Sequence, residues 1–265
     1  MKTHNKNTLA VAFVILGMVG SSSATVIFDA SPANTTLANN GIGAQGTLTG
    51  TPGDLEFQNN SSGFNFSSFA STDNINTLNG SPITDLDVVT VTIQVADFRI
   101  GDLRANGIDF GLNNATTSNI SNTQPGDNII RLEEGNNGND IGTFFNGAGF
   151  LDSGLNASDV ELLNGFTAEL VADVNGYTYT LGSVNAASNT TPLIVSGTYA
   201  PGEFVSTVGT SHFFYAQQQF NSANNGVDLL ADITEARIVV TSVPEPTSAV
   251  LLGLGGFAFM MRRRK

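Results

Sequence analysis

The sequence predicts an all-β protein: a two-sheet antiparallel β-sandwich, jelly-roll in topology, flanked by an N-terminal signal helix and a C-terminal short hydrophobic helix. Three observations predict it. Apolar residues recur with a period of two, as in Val89, Val91, Ile93 and Val95 alternating with Thr90, Thr92, Gln94 and Ala96, which turns one strand face to a core and the other to water. Asn-Gly dipeptides beginning at 40, 79, 106, 137, 146, 164, 175 and 225 spread turn chemistry along the chain. Helical periodicity is scarce, and no fixed-period repeat marks a propeller or solenoid.

In chain order, Lys2 and Lys6 precede an apolar core from Leu9 to Gly20, and Ser21-Ser22-Ser23-Ala24 supplies small residues for signal peptidase. Residues 1–24 read as a secretory signal peptide, with cleavage between Ala24 and Thr25. Residues 25–242 read as one β-sandwich domain, large enough to bury a core without staples. Its strand candidates are Thr25 to Asp29, Gly53 to Gln58, Val89 to Val95, Gly107 to Leu112, Asn128 to Leu132, Thr143 to Phe145, Leu193 to Tyr199, His212 to Gln218 and Ala236 to Thr241. Between Phe166 and Leu181, two alternating runs flank Asn175-Gly176, predicting a hairpin with those two residues at the centre of a type I′ turn. Asp159 to Leu163 and the stretch near Asp228 to Ile233 are read as turns or short helices. The jelly-roll reading places the first strand, near Val26, beside the last, near Val239.

The chain ends in Val243-Pro244-Glu245-Pro246-Thr247-Ser248, a run of thirteen apolar or small residues from Ala249 to Met261, and Arg262-Arg263-Arg264-Lys265. As a helix, 249–261 reaches roughly 20 Å against a hydrocarbon core of about 30 Å, a short single pass suited to transient membrane residence. The basic tail 262–265 stays cytoplasmic under the positive-inside bias, so the body is placed outside the cytoplasm. In motif order, residues 243–265 resemble the PEP-CTERM sorting signal of bacteria that make exopolysaccharide. The resemblance implies a membrane-embedded exosortase as partner, with Pro244, Glu245 and Pro246 as its recognition element and Arg262, Arg263 and Arg264 in the stop. The body is similar in strand count, and in the dyad Gly176-Tyr177, to concanavalin-like and laminin-G-like sandwiches, a resemblance that implies a fold and no functional residue.

Between Thr25 and Ser242 stand 22 acidic residues against four arginines and no lysine, a net charge of −18. Such a surface repels phosphate backbones and anionic lipid, which excludes nucleic acid as a partner. Arg99, Arg104, Arg131 and Arg237 read as paired with carboxylates such as Asp97, Asp102 and Glu235. No cysteine is present, which removes thiol catalysis, disulfides and thiolate metal sites.

No catalytic motif is found. The body's one histidine, His212, precedes Phe213-Phe214-Tyr215 in a strand and reads as structural. Glycoside hydrolysis needs two carboxylates at a set distance; the Glu-x-Asp-x-x-Glu motif of laminarinase-like sandwiches is absent, and Asp85-x-Asp87, a pair on one face of a strand start, reads as a solvated face. The stretch from Glu133 to Asp140 concentrates carboxylate and amide oxygens in a glycine-permissive loop, the hard-ligand set that Ca²⁺ uses. Ion-free Asx turns are the preferred reading of this stretch and no cofactor is expected; if an ion binds, its candidate ligands are Glu133, Glu134, Asn137, Asn139 and Asp140. Sugar stacking would fall to Tyr177, Tyr179, Tyr199 and Tyr215, since tryptophan is absent. The expectation is an exported, non-enzymatic structural or adhesive protein of the cell surface or exopolysaccharide matrix. Signal peptidase and exosortase act on it during export, and extracellular polysaccharide is a possible ligand. The alternatives are a carbohydrate-binding module, calcium-dependent or not, and a glycan-cleaving enzyme.

Overall fold

In the computed structural model, the described residues are 22–41, 47–59, 65–99, 107–114, 128–135, 138–145, 150–157, 165–183, 193–219 and 229–243. Ser23–Val243 forms one compact unit. Residues 1–21 and 244–265 lie outside the described residues, and with them most of the expected signal peptide, the Pro-Glu-Pro element, 249–261 and the basic tail. Among the described residues no helix is long and apolar enough to cross a membrane.

The strands are β1 (Ser23–Asp29), β2 (Thr35–Gly41), β3 (Thr47–Thr51), β4 (Asp54–Asn59), β5 (Asn65–Ser71), β6 (Asp87–Arg99), β7 (Gly107–Asn113), β8 (Asn128–Gly135), β9 (Gly138–Phe145), β10 (Phe150–Ala157), β11 (Phe166–Asp173), β12 (Gly176–Ser183), β13 (Leu193–Gly197), β14 (His212–Gln219) and β15 (Leu229–Ser242). Two single-turn helices, α1 (Ile75–Asn79) and α2 (Glu203–Thr207), complete the described elements. An eight-stranded sheet runs β13-β12-β11-β6-β15-β4-β3, with β1 also on β15. A seven-stranded sheet runs β10-β9-β8-β7-β14-β5-β2, and the pairings in both sheets are antiparallel.

The fold class is the one the alternation predicts. Val89, Val91, Ile93 and Val95 are at most 2% exposed, and β11 alternates buried and half-buried residues along its length. Fully burying each such aliphatic side chain stabilises by about 1.5–3 kcal/mol. The core lies between the sheets: Phe28 of β1 meets Phe213 of β14 at a ring-centroid distance of 5.4 Å, and Ile238, Leu170 and Leu112 belong to the same cluster. Val26 is the register partner of Val239, so first and last strands lie side by side as expected.

Long β15 is the axis of its sheet. β4 pairs with Leu229–Ile233, and β1 pairs with Arg237–Ser242. Leu229 to Ile233, expected as a turn or short helix, is therefore strand. Register shifts against β6 at Asp232/Ile233 and Ile233/Glu235 break the period of two there, and that break removed the strand signal. Asp159 to Leu163 lies outside the described residues.

The β11–β12 hairpin forms, with its turn one residue earlier than expected. Asp173 pairs with Gly176, so Val174 and Asn175 are the central residues. Asp173 Oδ1 accepts the backbone N–H of Asn175 at 2.7 Å and of Gly176 at 3.2 Å, an Asx cap that closes the turn. Gly176, at φ 154°, serves another end: a Cβ there would lie 2.1 Å from the Gly197 carbonyl oxygen, so the approach of β13 is what requires glycine. At the β3–β4 turn, Pro52 and Gly53 at φ 80° supply the pattern of a type II turn.

Candidate functional site

Both ends of the body leave from one end of the eight-stranded sheet. Ser23 pairs with Ser242, Ala24 with Thr241 and Thr25 with Val240, so the expected signal-peptidase bond lies on the strand next to the one that leads into Pro244. Residues 23–26 are exposed, which leaves the Ala24–Thr25 peptide accessible.

The carboxy-terminal exit is clamped. Asp87 opens β6 and is only 6% exposed; its Oδ2 accepts the Thr84 N–H at 2.8 Å and the Thr84 hydroxyl at 2.9 Å. Its Oδ1 accepts the Ser242 hydroxyl at 2.6 Å, and the Val243 N–H donates to the Leu86 carbonyl at 3.0 Å. A buried carboxylate is tolerated only when its oxygens are satisfied, and here both are. The bonds tie Ser242 and Val243 to the corner that starts β6, the strand paired beside β15. Asp85, by contrast, is exposed in the turn ahead of β6. The two acids are therefore no same-face pair: Asp87 is spent on the clamp and Asp85 faces water.

A second concave feature lies at the corner made by β11, β12 and β13. It is an open cavity of about 240 Å³ lined by Val171, Asp173, Asn175, Gly176, Tyr177, Thr178, Ser196 and Gly197. Val171, Thr178 and Ser196 are register partners in a row across three strands, so the wall is ordered by the ladder. Gly197 is small for a reason: a Cβ there would fall 2.5 Å from the Tyr177 ring. The cavity offers hydroxyl, amide and carboxylate groups beside an apolar floor, the chemistry that binds polyhydroxylated ligands.

The tyrosines expected as stacking platforms are otherwise employed. Tyr177, Tyr179 and Tyr199 are 6%, 2% and 8% exposed, and their rings pack in a chain with Phe204, at centroid distances of 5.7–6.0 Å. Their rings are core, which leaves no broad aromatic face among them. The side chain of Tyr215 lies outside the described residues.

The candidate calcium residues fall around the β8–β9 turn. Glu133 pairs with Asp140, Glu134 with Asn139 and Gly135 with Gly138, so this stretch is a two-residue hairpin rather than a long loop. Asn136 and Asn137 lie outside the described residues, as do the side chains of Glu133, Glu134, Asn139 and Asp140. Among the described residues no group of three or more His, Asp or Glu side chains could hold a metal ion. His212 Nδ1 donates to the Ser71 carbonyl at 3.1 Å, and Ser71 Oγ in turn accepts the Phe213 N–H at 3.0 Å. Arg237 forms the expected ion pair with Glu235. The side chains of Asp97 and Asp102 lie outside the described residues.

Residues 242–265 match the model of the PEP-CTERM protein-sorting motif. The chain carries a PEP-CTERM sorting signal. Such a signal implies export and a membrane-anchored precursor processed by exosortase. No curated protein matches the chain in sequence. Among solved structures, it is similar to the CBM2 module of Lactobacillus casei BL23 phage J-1 evolved Dit, at 13% identity and a TM-score of 0.55, covering 84% of this chain and 99% of that one. It is similar also to arcelin-5, a lectin-like defense protein from Phaseolus vulgaris, at 10% identity and a TM-score of 0.53, again covering 84% and 99%. At such identities the likeness speaks for the lectin-like sandwich fold alone.

Proposed function

We propose that this chain is a non-enzymatic structural or adhesive protein of the cell surface or exopolysaccharide matrix, trimmed at both ends on its way out. The observation that carries the reading is the clamp at Asp87: the fold closes at Val243, immediately ahead of Pro244-Glu245-Pro246. Removing the tail beyond that point costs the body no described strand. Removing residues 1–24 shortens β1 by its two exposed leading residues and leaves the Thr25–Val240 pair. The mass of the protein recovered outside the cells tests this. The expected product begins at Thr25 and lacks Arg262–Lys265; a product still running through Lys265 overturns the sorting reading.

A second reading, a carbohydrate-binding module, draws on the cavity between β11, β12 and β13, whose small glycines and polar wall suit a sugar ring edge-on. The similarity of the fold to arcelin-5, a lectin-like defense protein, points the same way. Calcium dependence would fall to the β8–β9 hairpin. Glycan-array binding with and without a chelator tests both parts: a glycan-selective signal favours the module, and its loss on chelation brings in the ion. The glycan-cleaving class has the least support, because Asp87 is committed to three hydrogen bonds and Asp85 stands apart from it.

A further inference from the structure

We infer that β13 is a self-association edge, on which a second copy of this chain adds its own Leu193–Gly197 antiparallel and joins two eight-stranded sheets across a two-fold axis. Edge strands in soluble proteins are guarded by charge, proline, bulges or cover, because their free N–H and C=O groups template further pairing. β13 ends its sheet, and among the described residues it pairs only with β12. Among the described residues it shows none of the guards: Leu193-Ile194-Val195-Ser196-Gly197 has no charged residue and no proline, and its register with β12 is unbroken. Ile194 is 58% exposed, the most exposed large apolar side chain among the described residues.

Charge selects the occupant. The body carries −18, so two copies repel wherever their carboxylates meet. From Val174 to Gly202, however, 29 consecutive residues hold no Asp, Glu, Lys, Arg or His, the longest such run in the chain, and β12 and β13 lie wholly inside it. Within that run a cationic partner finds no counter-charge; the Asp173 carboxylate borders the corner at Ser196 and Gly197 but is held by the amides of its own turn. A second copy of the same strand meets backbone hydrogen-bonding groups and apolar side chains, with no acid on either β13.

The pleat restricts the register. Leu193, Val195 and Gly197 pair with Leu181, Tyr179 and Tyr177, whose side chains are buried, while Ile194 and Ser196 pair with half-buried Thr180 and Thr178 on the outer face. Continuing that alternation into the partner requires outer residues to face outer residues. The two-fold axis therefore passes through residue 194, 195 or 196.

This contact deepens the structural reading of the exported protein, yet the two fail separately. A sorted but monomeric chain sinks only the edge, and a dimer retaining both ends sinks only the sorting. The full-length chain contains no cysteine, so Ile194→Cys, Val195→Cys and Ser196→Cys each introduce the sole thiol. Opposed antiparallel residues bring Cα atoms to about 4.5–5.5 Å, within disulfide reach. Under mild oxidation at the cell surface, at least one variant should give a disulfide-linked species of twice the chain mass, about tenfold above exposed Thr77→Cys on α1, equivalent to roughly 1.4 kcal/mol. In the cysteine-free chain, Ile194→Glu should shift sedimentation from dimer to monomer; its side chain is exposed, so the fold is kept. Cross-linking no greater than the Thr77→Cys control at all three positions overturns the inference. So do adducts of another mass, which would assign the edge to a different protein.

Discussion

Asp87 and Asp173 stand on strands one step apart in the same sheet, near the end where Ala172 pairs with Val89, and both use a carboxylate to close a turn. Their surroundings differ. Asp87 is buried, and its three donors include the Ser242 hydroxyl, 155 residues away in sequence. Asp173 is half-buried, and the donors to its Oδ1 are two backbone N–H groups of its own turn. The difference teaches that the same acceptor geometry can be a long-range clamp or a local cap. Solvent access decides which, because water replaces a lost partner only where it can reach.

The comparison breaks most readily at Asp87. Asp87→Ala removes the buried carboxylate that three donors of this corner share and should cost about 3 kcal/mol, read as a lower denaturation midpoint at unchanged slope. A loss below about 1 kcal/mol would mean that water reaches the clamp and that the two acids are equivalent after all. Gly176→Ala comes next at about 2 kcal/mol, since its Cβ must displace the Gly197 carbonyl and loosen β13 from β12. Hydrogen exchange should show that opening confined to β12 and β13; opening that spread equally to β6 would contradict it. Ser242→Ala removes one donor to a charged acceptor, at about 1.5 kcal/mol, and should free the Val243 amide to exchange faster. Asp173→Ala is smallest, about 0.5 kcal/mol, because water can take over the two turn amides. A cost equal to that of Asp87→Ala would erase the distinction.

Several elements were legible in sequence because a single strand contains their whole signal. Val89 to Val95 and Phe166 to Asp173 bury one face and expose the other, and alternation reports that directly. The strands that left no such signal were β2, β3, β5 and β10. Three of these, β2, β3 and β10, end their sheets, where a strand has one neighbour and stretches such as Thr-Thr-Leu-Ala-Asn-Asn-Gly need no apolar alternation. The turn at Val174-Asn175 was misplaced by one residue because Asn-Gly is a turn signal only when glycine's freedom is used in the turn; here β13 uses it. The burial of Tyr177, Tyr179 and Tyr199 was likewise invisible, since a tyrosine in an alternating run can face either way until the opposite layer is in place.

By itself, the sequence determined the all-β class, the acidic lysine-free body and the sorting signal at its end. Each is written in local pattern or composition, which one stretch of chain carries without reference to another. Only the tertiary structure decided that Asp87 is a clamp and Asp85 a surface acid, that Gly176 answers to Gly197, and that β13 is left as an uncharged edge. These depend on which distant residues come to lie within a few ångströms, and burial, hydrogen-bond satisfaction and strand adjacency exist only once the sheets have closed over their core.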